Sequence, residues 1–131
     1  MEFVSASTPV VIMGETEALT VNSLSASDTH TVTNDTNMSG GKGDLFNGNA
    51  TNDFIEYKVN VEQAGTYNVK IKVKNYNNRG KYQLVIDGTN QGPVFDNYTS
   101  TAYYTEIDLG NITFSTDGDK LFRFTCTGKN T

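Results

Sequence analysis

The sequence predicts an all-β fold: a two-sheet antiparallel β-sandwich of jelly-roll type, with a closed single barrel as the alternative. Three observations carry this. First, 18 Thr and 15 Asn supply a quarter of the 131 residues. Thr, with the Tyr and Phe, suits pleated half-buried surfaces, whereas Asn and Gly populate turns and weaken helix interiors. Second, apolar residues recur at period two in several segments, and no helical pattern exceeds two turns. Third, turn signals recur at the spacing of ~8 to 12 residues expected of short sandwich strands.

Residues 1–9 read as a flexible lead-in or residues left by cloning, and one domain fills 10–131. Two early strands are expected at Thr16–Asn22 and His30–Thr33, before a Gly-rich bend at Ser39-Gly40-Gly41. From Asp53 the pattern is regular: Ile55, Tyr57, Val59 and Val61 face one way, and Phe54, Glu56, Lys58 and Asn60 the other. After Glu62-Gln63-Ala64-Gly65, Tyr67, Val69, Ile71 and Val73 alternate with Asn68, Lys70 and Lys72, which predicts an antiparallel pair with the preceding strand. Tyr82, Leu84 and Ile86 form another strand, closed by the hairpin dipeptide Asp87-Gly88. Tyr104–Leu109 and Ile112–Phe114 follow, separated by Gly110-Asn111, and then comes a turn at Thr116-Asp117-Gly118-Asp119. The last strand, Leu121–Thr127, sets Phe122, Phe124 and Cys126 on one face, which predicts a buried and inert Cys126.

Charge and composition exclude several functions. Ten Lys plus Arg against fifteen Asp plus Glu give a net charge of -5, the wrong sign for a nucleic-acid partner. No run reaches the ~18 to 20 apolar residues that span a bilayer, so no membrane partner is expected. Val10–Met13 is too short for a signal-peptide core. A lone Cys126 rules out an internal disulfide, and a lone His30 cannot build a His-based triad or a His-rich metal site. No two carboxylates stand out as a glycosidase pair, so the chain is not expected to be an enzyme.

The segments Asn52–Val61, Ala64-Gly65-Thr66-Tyr67 and Tyr82–Gly88 together resemble carbohydrate-binding modules of families 6 and 35. Glu15-Thr16-Glu17, Ser39-Gly40-Gly41 and Leu121-Phe122-Arg123-Phe124 extend the resemblance, in order, over about 15–128. It implies a galactose-binding-like sandwich, non-catalytic, that targets a secreted polysaccharide-degrading enzyme to its glycan. The implied partners are an oligo- or polysaccharide and the parent glycoside hydrolase or lyase modules, and the implied location is extracellular. The sequence departs from those families at Lys129-Asn130-Thr131, where the expectation is that their final strand is either cut off or replaced in the sheet by another segment. The alternative function is a structural or adhesive sandwich that makes protein contacts or spaces domains in a larger extracellular protein.

Two sets of residues are candidates for function. Glu15 and Glu17, two apart on a predicted strand, emerge on the same face. In the resembling families the equivalent pair helps hold a structural calcium, with carbonyls of the Gly40 to Lys42 bend as supplements. Solvation at a sheet edge is the alternative. Sugar recognition needs aromatic faces for the apolar side of a pyranose, and amide or guanidinium groups for its hydroxyls, carried on loops of a rigid scaffold. Tyr76, Asn77, Asn78 and Arg79 offer these on one loop, and Asn97, Tyr98, Tyr103 and Tyr104 in a second segment. Only one of the adjacent pair Tyr103 and Tyr104 can face such a site, because neighbours alternate across a strand. With no Trp in the chain, soluble or side-chain sugars are the expected targets.

Overall fold

The computed structural model describes residues 2–5, 11–13 and 20–129. Its strands are β1 (Glu2–Ser5), β2 (Val11–Met13), β3 (Thr20–Leu24), β4 (Thr29–Asn34), β5 (Lys42–Asn47), β6 (Phe54–Val61), β7 (Gly65–Asn75), β8 (Lys81–Ile86), β9 (Thr89–Asp96), β10 (Tyr103–Phe114) and β11 (Gly118–Gly128). They build a four-stranded sheet in the order β10-β7-β1-β2 and a five-stranded sheet in the order β3-β6-β11-β8-β9. The hairpin β4–β5 stands apart as a third, two-stranded sheet. All the strand pairings are antiparallel, and the two larger sheets form an open sandwich of jelly-roll type.

The alternation read from the sequence fills the space between the sheets. Ile55, Val59 and Val61 of β6 meet Val69 and Ile71 of β7, with Leu84, Ile86, Leu109, Ile112 and Phe122 in the same buried cluster. Phe114 of β10 stacks on Phe122 of β11 with centroids 6.0 Å apart and planes at 13°, which ties one sheet to the other. The β8–β9 turn has Asp87 and Gly88 at φ 49° and 86°, the positive values that a tight hairpin of this hand demands. Gly92 serves a different need. A Cβ there would lie 2.6 Å from the Leu109 carbonyl oxygen, so glycine lets the edge strand β9 close against β10.

Several expectations are corrected. Strands β6 and β7, read as a pair, lie in different sheets: β6 pairs with β3 and β11, and β7 with β1 and β10. The connection Glu62-Gln63-Ala64 is short enough for a hairpin but crosses between layers, which lets both strands bury their apolar faces in one core. Residues 2–5, read as part of a lead-in, form β1 in register with β7, Phe3 opposite Val69. With β2 beyond it, β1 covers the edge of β7 that β10 leaves open. Cys126 is half-buried rather than buried, because the register of β11 shifts between Cys126 and Gly128, and its thiol donates to the Gly128 carbonyl at 3.4 Å.

One polar cluster stabilises the outer face of the five-stranded sheet. Buried Glu56 accepts from Asn22 Nδ2 (2.8 Å), Ser23 Oγ (3.2 Å) and Arg123 Nε (2.9 Å), while the Arg123 guanidinium lies 3.7 Å from the Phe54 ring centroid. Burial alone would raise the Glu56 pKa, but the bonds from Asn22, Arg123 and Ser23 outweigh it and hold the carboxyl below the usual range. The group therefore binds its proton less readily folded than unfolded. Its contribution is complete above the unfolded pKa of ~4.3 and is lost as pH falls through the folded value. Replacing Glu56 by Gln is expected to lower stability at neutral pH and to flatten the acid limb of the stability–pH curve. Urea titrations across that range check this, and an unaltered acid limb would contradict it.

Candidate functional site

One end of the sandwich is built by two loops held together through their backbones. The β7–β8 loop begins at Tyr76, whose amide donates to Asn97 O at 3.1 Å and whose carbonyl accepts from Thr99 N at 3.1 Å. Asn97 N donates in turn to Gly80 O at 3.1 Å, and Tyr76 and Tyr98 form a parallel bridge. Tyr103 enters β10 opposite Asn75. All eight residues singled out on these segments therefore stand at the same end, but they fall into three groups.

Tyr103 and Tyr76 are the open aromatic surfaces, 52% and 38% exposed, with Asn77 and Asn78 exposed on the loop tip. Tyr98 is half-buried beside them. Tyr104 belongs elsewhere, as strand alternation requires: it stands opposite Lys74, whose Nζ lies 5.9 Å from its ring centroid, and its hydroxyl donates to Asp35 beyond β4. That bond raises the Tyr104 pKa and lowers that of Asp35, which also accepts from Asn37 N. Tyr104 thus anchors the β4–β5 hairpin, while Tyr103 remains free for a ligand.

Arg79 and Asn97 form the inner group. Arg79 is half-buried, its Nε donating to Lys74 O at 3.3 Å and its Nη1 to Asn78 Oδ1 at 2.5 Å. Burial pulls its pKa below the usual guanidinium range, with Tyr82 and Tyr104 acting in the opposite direction. Asn97 is 8% exposed and Asn75 only 2%, yet Asn97 Oδ1 and Asn75 Nδ2 have no hydrogen-bond partner. Such groups are costly to leave unpaired in an interior, and in a binding site they are partners in waiting.

Behind these residues lies a cavity of about 230 Å³ between the β4–β5 hairpin and the sandwich. Arg79, Asn97 and Tyr82 line one side, and Asp35, Asp44 and Phe46 of the hairpin unit the other. Its volume is just under the ~300 Å³ lower end of small-molecule pockets, which suits a single ring. The hairpin is fastened over it by Asp44, which accepts from Tyr57 OH at 2.8 Å and pairs with His30 Nδ1 at 2.9 Å. Burial, reinforced by Asp44, drives the Tyr57 pKa far above its usual value, and burial pushes Tyr82 up to about 12. The sequence offered no signal for this wall, because Asp35, Asp44 and Phe46 reach it only through the packing of a separate hairpin.

Glu15 and Glu17, the carboxylates on which a calcium site was expected, lie outside the described residues. The Gly-rich bend is a short 3-10 turn, Ser39–Gly41, and its Gly41 carbonyl accepts from Asp35 N at 2.7 Å. Among the described residues no group of three or more His, Cys, Asp and Glu is placed to hold a metal ion. None of their helices is long and apolar enough to cross a membrane.

No protein-family model matches the chain, and no curated protein matches it. Among solved structures it is similar to part of a Paenibacillus xanthan lyase, with 44% identity and a TM-score of 0.82 over 89% of its length. It spans only 11% of that enzyme's chain. The chain is thus a β-sandwich resembling a domain-sized segment of a polysaccharide-degrading enzyme.

Proposed function

We propose that the chain is a non-catalytic carbohydrate-binding module, an appended domain that keeps a secreted polysaccharide-degrading enzyme on its glycan. The observation that carries this is the loop-built end of the sandwich, where exposed Tyr103 and Tyr76 stand beside amide and guanidinium groups. Ring faces remove apolar sugar surface from water, and planar donors and acceptors then select a hydroxyl pattern. The unpaired acceptor on Asn97, which lines the cavity, suits the O–H of a hydroxyl. The likeness to a segment of a xanthan lyase supports the same reading and makes xanthan the first glycan to try. Native gels cast with xanthan, xylan, galactomannan or mixed-linkage glucan test it. At least one polymer is expected to retard the chain, with a dissociation constant of roughly micromolar to millimolar, about -8 to -4 kcal/mol. Unretarded migration in all of them would favour a structural or adhesive sandwich instead.

The calcium that the resemblance implies would rest on Glu15 and Glu17, which the sequence reading sets two apart on an expected strand, where two like charges on one face repel unless a cation separates them. Melting is then expected at higher temperature with calcium than with chelator, the gain reaching ~2.7 kcal/mol at a hundredfold excess over the dissociation constant. Coincident melting curves would remove calcium from the account.

A further inference from the structure

We propose that the cavity between the β4–β5 hairpin and the sandwich is a second binding site, for a phenol: a single aromatic ring carrying one hydroxyl, which donates to Asn97 Oδ1. The exposed rings of Tyr76 and Tyr103, on which the carbohydrate-binding reading rests, do not line this cavity. Of the loop residues singled out at this end, only Arg79 and Asn97 do.

The inner walls are apolar. Ile55 and Phe124 come from the five-stranded sheet, Ile71 and Val73 from the four-stranded sheet, and Leu45 and Phe46 from the hairpin. Four of the lining rings form a row. Tyr57 meets Phe124 edge-on at 6.2 Å, Phe124 meets Phe95 edge-on at 6.3 Å, and Phe95 lies 6.3 Å from Tyr82. Aromatic rings favour such edge-to-face and offset contacts at centroid separations of ~4.5 to 7 Å, so an added ring has both faces and edges to pack on. Size agrees with this occupant. An apolar cavity of ~150 Å³ is enough to admit benzene. The cavity of about 230 Å³ here holds one ring and a small substituent.

The polar group of the ligand follows from Asn97. This residue is 8% exposed, and its Oδ1, without a hydrogen-bond partner, stands on a residue of the cavity wall. A buried acceptor left unpaired is costly, and a donor arriving with a ligand removes that cost. The carboxylates on the hairpin side of the cavity are already engaged: Asp44 accepts from Tyr57 and pairs with His30, and Asp35 accepts from Tyr104 and from Asn37 N. A pyranose is a poor match for this interior. It carries hydroxyls around the whole ring, and against Ile55, Ile71, Val73 and Phe95 these would lose water without gaining partners. A phenol carries one hydroxyl at the rim of an otherwise apolar disc, which matches one unpaired acceptor among apolar walls.

The test uses the intact ¹⁵N-labelled chain, titrated with phenol and with benzene while the backbone amides are followed. Phenol is expected to move the amides of residues 43–46, 71–74 and 95–97. It is also expected to bind roughly tenfold more tightly than benzene, the fold-change of about one net hydrogen bond. Asn97→Leu, which keeps the bulk of the side chain and removes the acceptor, is expected to bring the two probes to equal affinity. Leu45→Trp fills the cavity from the hairpin and is expected to abolish binding of both. Val73→Phe fills it from the sandwich and is read in its place where the amide spectrum of Leu45→Trp shows a displaced hairpin. Equal affinity for the two probes in the parent chain, phenol shifts confined to residues 76–78 and 98–103, or an unchanged preference for phenol in Asn97→Leu would overturn the proposal. So would the absence of shifts from either probe at its solubility limit. The carbohydrate reading stands or falls separately, on the polysaccharide gels.

Discussion

Replacing Phe122 by Ala is expected to destabilise the chain by ~3 to 5 kcal/mol, the largest effect of any single change considered. Phe122 is fully buried, pairs through β11 with both β6 and β8, and stacks on Phe114 from the opposite sheet. Its loss would remove transfer free energy and leave a void between two sheets that cannot both close over it. Native proteins hold only ~5 to 15 kcal/mol in reserve, so much of the stability would go. Urea unfolding checks this: the midpoint should fall while the slope stays the same, since the surface exposed on unfolding is nearly unchanged. A shift equivalent to less than about 1 kcal/mol would mean that the sandwich core is not packed as described.

Replacing Tyr103 by Ala is expected to weaken glycan binding by about thirtyfold, or ~2 kcal/mol, with little change in melting. The ring is half exposed, so truncation creates no cavity, and the strand pairing of β10 with β7 passes through backbone atoms. Tyr104 gives the contrast. Its hydroxyl holds Asp35, so Tyr104→Phe should loosen the β4–β5 hairpin, seen as faster amide exchange over residues 29–47, without removing a stacking surface. Equal loss of binding from the two changes would mean that the hairpin, rather than the open aromatic surface, governs recognition.

Much of the sandwich was legible because burial on one side of a strand leaves a period-two trace. Ile55 to Val61, Tyr67 to Val73, Tyr82 to Ile86 and the Phe122–Phe124 pair all show it, and Asp87-Gly88 marks the β8–β9 hairpin, whose turn has positive φ at both residues. What was not legible depends on partners far along the chain. The crossover from β6 to β7 has the length of a hairpin, and only the competition of β3, β11, β1 and β10 for their edges separates them. The strand β9 carries Gly92 and Pro93, which interrupt the pattern but are tolerated at a sheet edge. At the site, loop composition singled out Tyr76, Arg79, Asn97 and Tyr103 on two segments, and the backbone bonds between those segments bring them to one end. Composition could not separate Tyr103 from Tyr104, nor show that Asn97 is buried, because both follow from the register of β10 and from backbone bonds between loops.

The most direct test of the carbohydrate-binding claim is a chemical-shift titration of the labelled chain with the glycan that retards it most in gels. The perturbed amides are expected to fall within residues 75–80 and 96–104, with few changes on the outer face around Lys58, Asn60 and Arg123. Perturbations confined to that outer face, or none from any glycan at saturating concentration, would contradict it.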